Sequence, residues 1–490
     1  MTTVIQNRFD GGHAEDIRTF ATNECEYSKN FDIFSKPHLL QPYPDTVTEV
    51  VTGGTITDHK MSDVIDTVAL GSDGYIALGQ AGSSDANLKF FSKSDIGGDW
   101  TKRVERTTGS VMNNTLVGYK GYAFALESTG ADLNLIELTD ATTATDQGTI
   151  TGATTACKPF VHPEDQLLYI GAGYKIARYD GVNDIDSGTG SSAIMTSLLP
   201  TNAVITSLTN YGTYLAIAVR NLTGNGIAYL WGRDTTLNTT QGIIDFGRGN
   251  LNTLENMGDV LVGIVSPNVA STDNDRIKVK IWSGGEVVTI KEIDVSFTGN
   301  ANSILKAVSN GKLYFTIGSS DCIYIVEKNK DGNWVVSKDR YVANGTTPSS
   351  VRGLSILDDY MFIGYNNGSS DVFYRTGTTY TATSTFRTTI NPSMLIEDRY
   401  KDKQLDAVQL AYTGASSGTT VLKYGVDGST MTTIISDTNA TGEQVIEASN
   451  ENTNSLALLA GREVQLQIES TGGSKIKELK YKYTKLNSLL

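Results

Sequence analysis

The chain has 490 residues, with 54 acidic against 40 basic side chains and a formal net charge of −14, so it is not built to gather nucleic acid by counterion release. That length can hold two or three domains, and no run of 18 apolar residues offers a membrane-spanning helix. Glycine is plentiful at 49 residues and proline scarce at 9, with Thr, Ser, Asn and Asp filling the gaps between short apolar runs, which is the punctuation of an all-β protein.

Residues 1–46 read as an extended N-terminal arm. The opening MTTVIQNRFDGG lacks the apolar segment of a secretion signal, so the expectation is a chain made in a cytoplasm that stays soluble. The stretch FDGGHAEDIRTFATNECEYSKNFDIFSKPHLLQPYPDT holds three of the nine prolines, and its apolar residues follow no period. Phe31, Phe34, Leu39 and Tyr43 are the candidate anchors, laid across the rest of the chain or a neighbouring copy.

From 47 to 380 one pattern recurs seven times: a strand-like segment, a polar turn, a short Tyr- or Leu-rich strand, then one or two more strands. Aligned on Tyr75, Tyr122, Leu168, Tyr214, Leu261, Leu313 and Met361, the spacings are 47, 46, 46, 47, 52 and 48 residues. Units of about 40–50 residues with about four strands each are the size of propeller blades, so the expectation is a seven-bladed β-propeller. Small residues in the aligned strands (Ala77, Ala125, Gly171, Ala216, Gly263) suit crowding near a central axis. The strand VTEVV at 47–51 is placed to pair with the last blade and close the ring, which removes free sheet edges. Neither a recurring GH…WD nor a paired-glycine signature is present.

Residues 381–490 leave the repeat. TVLKYGVDG, REVQLQIES and IKELKYKYTKL alternate apolar and polar residues as half-exposed strands do, and predict a C-terminal β-sandwich.

Side chains with chemical potential are scattered. Cys25, Cys157 and Cys322 are far apart and odd in number, so they read as small buried residues and not as a disulfide framework. His13, His38, His59 and His162 are isolated, with no metal-ligand spacing. Thr272-Asp273-Asn274-Asp275 has calcium-loop residue types but no EF-hand register or bidentate Glu. Among 54 acidic residues some pair will stand at glycosidase separation by chance, and sequence selects none. The 23 tyrosines could present a glycan-binding face, or serve as ordinary strand residues. The expectation is a protein with no cofactor, no metal and no enzymatic activity.

The stretch SKSDIGGDW, residues 92–100, resembles the Asp box of sialidases and related propellers, S-x-D-x-G-x-x-W, with Lys93 in place of the Ser. In that box the Asp accepts backbone N–H bonds, the Gly takes an unusual φ and the Trp packs beneath, so Asp95, Gly97 and Trp100 are read as a structural hairpin turn. Asp331, Gly332 and Trp334 in KDGNW make a similar turn. The other marks of a sialidase are missing: no Arg-Ile-Pro stands near the N-terminus, and Arg103, Arg178, Arg220 and Arg352 share no blade position.

Both ends also resemble structural proteins of tailed bacteriophages. The carriers are FDGGHAEDIRTF…NFDIFSKPHLLQPYPD at the start and GREVQLQIESTGGSKIKELKYKYTKL at the end, with the propeller proteins of short-tailed phage nozzles as the nearest architecture. The resemblance implies a virion component, present as a ring of six copies or a multiple of six, beside other tail or portal-proximal proteins. An acidic lumen would let DNA pass without holding it. Two alternatives stand beside it: a virion-borne propeller that binds or degrades host-surface glycan, and a cellular scaffold propeller that binds peptides.

Overall fold

A computed structural model describes residues 2–6, 25–29, 31–32, 40–49, 66–70, 74–80, 88–106, 109–112, 115–138, 143–195, 199–221, 224–232, 240–267, 276–293, 304–317, 320, 322–342, 350–366, 371–380, 383–391, 401–415, 418–438, 441–449 and 460–486. Among them there is no helix, and the protein is all-β. The chain divides into two compact units. One holds residues 47–321 and 346–376; the other holds residues 1–46, 322–345 and 377–490.

The first unit is a succession of antiparallel sheets in up-and-down order, each strand pairing the next. The first sheet runs Asp66–Leu70, Gly74–Gln80, Leu88–Lys93 and Thr101–Arg106. In the second, Ser110–Val111 and Val117–Tyr119 both pair Tyr122–Ser128, which is followed by Leu133–Leu138 and Ala144–Ile150. The third is Phe160–Val161, Leu168–Ala172, Lys175–Tyr179 and Ala193–Met195. The fourth is Ala203–Tyr211, Tyr214–Asn221, Asn225–Trp231 and Thr240–Arg248, and the fifth is Asn250–Asn256, Leu261–Ser266, Ile277–Trp282 and Val287–Ile293. A hairpin of Lys306–Ser309 and Lys312–Thr316 follows.

The last sheet is Ser350–Leu357, Tyr360–Asn366 and Asp371–Thr376, completed by Thr46–Thr48. The strand expected at 47–51 to join the end of the repeat does so, over Thr46–Thr48.

The aligned Tyr- and Leu-rich strands are the second strand of each sheet, and two of their small residues face a neighbouring sheet. A Cβ on Gly171 would stand 2.6 Å from Ile205 of the next sheet and 2.8 Å from the sulfur of Cys157. On Gly263 it would stand 2.5 Å from the Phe246 ring of the preceding sheet. Packing against the neighbouring sheet excludes larger side chains at these two positions. The first strands of the fourth, fifth and last sheets each carry a register shift, between Ile205 and Ser207, Leu251 and Thr253, and Val351 and Gly353. Such bulges re-aim one side chain. The Thr206 hydroxyl at the first of them donates to the Leu251 carbonyl of the next sheet at 2.6 Å.

The second unit contains two five-stranded antiparallel sheets. One orders Thr2–Gln6, Lys475–Lys485, Lys403–Gly414 and Gly442–Ser449, with Ala460–Gly461 beside Lys403–Gly414. The other orders Cys25–Lys29, Ser384–Thr388, Val464–Ser470, Thr419–Val426 and Thr432–Thr438. Alternation along Lys475–Lys485 buries Ile476, Leu479, Tyr481 and Tyr483 and leaves Lys477 and Lys482 exposed. A hairpin of Cys322–Lys328 and Trp334–Tyr341 belongs to the same unit. The arm is therefore not a body of its own. Its strands Thr2–Gln6 and Cys25–Lys29 are members of sheets whose other strands lie hundreds of residues away.

Candidate functional site

In SKSDIGGDW the strand Leu88–Lys93 is buried throughout, and its chain reverses over Ser94–Asp99 before Thr101–Arg106. Asp95 organises the reversal: its Oδ1 accepts the Gly97 N–H at 3.0 Å, and its carbonyl accepts the Gly98 N–H at 3.2 Å. The unusual φ expected at Gly97 is not there, since Gly97 is not among the residues in the left-handed region. Glycine gives room instead, because a Cβ on Gly98 would stand 3.2 Å from the Asp95 carboxylate.

Trp100 is fully buried. Its ring lies 6.3 Å from Phe362, edge-on, and 6.0 Å from Phe373, so the first sheet packs against the last. Its Nε1–H donates to Glu49 Oε2 at 2.6 Å. Glu49 follows the strand Thr46–Thr48, and its own N–H donates to the Phe373 carbonyl at 2.9 Å. The same carboxylate pairs with Lys93 and, through Oε1 at 2.7 Å, with Arg375. Lys93 Nζ also lies 4.6 Å from the centroid of the Trp100 ring. Burial lowers the Lys93 ammonium below its ordinary range, against the opposing pull of Glu49. The Asp-box stretch thus brings a tryptophan and a lysine to one buried carboxylate where the first and last sheets meet.

The second turn is built differently from the first. Asn329, not Asp331, caps it: Asn329 Oδ1 accepts the N–H groups of Asp331 and Asn333, each at 3.0 Å. Gly332 takes φ +81°, the left-handed conformation that favours glycine. Trp334 is only half-buried, with Lys328 Nζ 5.0 Å from its ring. Replacing Asp95 or Asn329 by alanine is expected to cost about 1 kcal/mol each. Thermal unfolding of the two variants checks the values.

A cavity of about 300 Å³ opens among the first strands of the sheets, with Lys158, Leu208, Glu255, Lys306 and Ser355 on its wall. Lys306 Nζ pairs with Glu255 at 2.7 Å, donates to the Leu254 carbonyl at 2.6 Å and lies 3.5 Å from the Leu208 carbonyl. Glu255 Oε1 also accepts the Thr209 hydroxyl at 3.0 Å. One lysine therefore ties three successive segments of the repeat at the cavity wall.

His162 is buried; its Nδ1 accepts the Glu164 N–H at 3.3 Å, which leaves Nε2 to donate to the Tyr214 carbonyl at 3.3 Å. Cys157 and Cys322 are buried and in no disulfide, and burial raises the Cys157 thiol to about 12. Phe31 is buried, and Tyr43 lies 4.0 Å from the Arg340 guanidinium of the same unit. Tyr122 and Tyr214 are the exposed tyrosines among the large exposed apolar side chains. Among the described residues no three His, Cys, Asp or Glu side chains are grouped to hold a metal ion. Phe34, Leu39, His13, His38, His59, the side chain of Cys25 and the calcium candidate at 272–275 lie outside the described residues.

Sequence reasoning missed Glu49, Arg375, Lys306 and Glu255. One signal was available for Glu49: Lys93, where the Asp box has serine, is a cation in an apolar strand and calls for a carboxylate.

No protein-family profile matches this chain, and no curated protein matches it. Among solved structures it is similar to the WD40 β-propeller domain of Doa1, at 13% identity and a TM-score of 0.44, over 68% of this chain and 97% of that one. A chain of the mitotic checkpoint complex aligns at 10% identity and a TM-score of 0.43, over 68% and 93% of the two chains. An exo-β-1,3-galactanase from Phanerochaete chrysosporium aligns at 10% identity and a TM-score of 0.31, over 90% and 100%.

Proposed function

We propose that the protein is a ring-forming structural component of a phage tail, with a seven-bladed propeller over the repeats and a C-terminal β-sandwich. The propeller reading is supported by the meeting of the first and last sheets at Trp100, and by one cavity lined from the first strands of several sheets. The observation that carries the assembly reading is the behaviour of the N-terminal arm, which works by strand addition. Thr2–Gln6 and Cys25–Lys29 each join a sheet made by remote residues. Strand addition is a general way for one chain to bind another, because backbone hydrogen bonds supply the affinity. In this reading the copies form a ring of six or a multiple of six, next to other tail or portal-proximal proteins. Their acidity keeps passing DNA from adhering.

The test is location. Antibody against the full chain is expected to find it in the particle band of a density gradient, with gold label at the tail or the head–tail junction. A chain left wholly in the soluble fraction overturns the reading. Deletion of residues 1–46 is a poor test, because it also removes strands from both sheets of the second unit.

A further inference from the structure

Strand Thr2–Gln6 covers an edge that would otherwise be free. It pairs antiparallel with Leu479–Tyr483, in the register Thr2↔Tyr483 to Gln6↔Leu479. The far side of Lys475–Lys485 is occupied by Lys403–Gly414. Further along the same edge, the Leu40 N–H donates to the Ile476 carbonyl at 2.9 Å, and the Ile476 N–H returns a bond to the Leu40 carbonyl at 3.0 Å. The outer edge of this strand is thus capped by two pieces of the arm. An uncapped edge of this kind templates pairing with another chain.

The cap is held through backbone bonds, which any copy of the arm can supply. Residues 7–24 separate it from Cys25–Lys29, which belongs to the other sheet of the unit. Those 18 residues have a contour length of at most about 60 Å.

We propose that Thr2–Gln6 is exchanged between copies: in the self-associated protein each copy's first strand pairs with Leu479–Tyr483 of its neighbour. This deepens the arm-mediated assembly proposed above and rests on it. The same contacts form in either case, so exchange costs little beyond the choice of partner. That choice is set by effective concentration: the tethered strand has the advantage in a lone chain, and a neighbour held alongside removes it.

The register gives the test. Thr3 stands opposite Lys482, and directly opposed residues of an antiparallel pair have Cα atoms about 4.5–5.5 Å apart, within the reach of a disulfide. Lys482 is exposed, and Cys157 and Cys322 are buried. Full-length chains carrying Cys25→Ser with either Thr3→Cys or Lys482→Cys are purified, mixed over a rising concentration series and oxidised. Exchange predicts a disulfide-linked band at twice the chain mass from the mixture, growing with concentration and absent from either variant alone. The double variant Thr3→Cys/Lys482→Cys reports the pairing within one chain. If it closes internally at every concentration while the mixture gives no linked band, the exchange is overturned. A chain located in particles but closed only internally keeps the tail reading and loses the exchange. A linked band from a chain absent from particles does the reverse.

Discussion

Glu49→Ala is expected to destabilise the unit formed by residues 47–321 and 346–376 by about 3–5 kcal/mol, the usual cost of stranding buried charge. The Glu49 side chain is 4% exposed, and its two partners, Lys93 and Arg375, are 0% and 16% exposed. Removing the carboxylate leaves both cations without their counter-charge and takes the acceptor from the buried Trp100 Nε1–H. Trp100→Phe separates these effects. It keeps an aromatic ring near Phe362 and Phe373 and leaves both ion pairs, so the loss should be about 1–2 kcal/mol. Urea denaturation gives both values, and a Glu49→Ala loss under about 1 kcal/mol would mean that the cluster does not hold the sheets together.

The pH dependence has a definite sign. Folding lowers the Lys93 pKa from 10.5, mainly by burial, so between the lowered value and 10.5 the unfolded chain binds more protons. Stability contributed by this group therefore rises with pH through that window. Glu49 is the largest influence in the opposite direction. Without it the folded-state value falls further, so the deficit of Glu49→Ala should shrink as the solution becomes alkaline.

Much of the first unit is legible in the sequence because turn chemistry and a period near 47 residues report local structure. Each aligned position, from Tyr75 to Met361, lies in the second strand of its sheet. The pairing of the segment near Val47 with the last repeat is legible too, and Thr46–Thr48 makes it. The Asp95 turn follows from residue types one or two positions apart. The partners of Trp100 do not, because Glu49 and Phe362 are brought to it by pairing across most of the chain. The same limit hides the arm. Nothing within MTTVIQ says that its partner is Leu479–Tyr483, because backbone pairing carries little side-chain signature. Asp331 misleads for a local reason: Asn329 sits two residues earlier and accepts the N–H groups that an Asp-box reading assigns to the Asp.

Lys306→Met should cost about 2–3 kcal/mol, although the lysine lies at a cavity wall and its ion pair has ordinary geometry. The control is Lys423, which pairs with Glu469 at 2.6 Å, close to the 2.7 Å of Lys306 and Glu255. Their side chains are 25% and 22% exposed, against 14% and 16% for Lys306 and Glu255. A pair as open as the control is worth at most about 1 kcal/mol, so Lys423→Met should change stability little. Lys306 differs in what else it holds. Its ammonium bonds the Leu254 carbonyl of the fifth sheet and approaches the Leu208 carbonyl of the fourth, so methionine removes a donor from both and leaves Glu255 with the Thr209 hydroxyl. Glu255→Gln should cost less than Lys306→Met, because the lysine keeps its carbonyl acceptors and the glutamine still accepts a hydrogen bond. Adding Glu255→Leu to Lys306→Met should recover part of the loss, since no charge is then left without a partner. If Lys306→Met and Lys423→Met prove equal in chemical denaturation, the carbonyl bonds contribute nothing beyond a surface ion pair, and the sheets are held at the cavity by apolar packing alone.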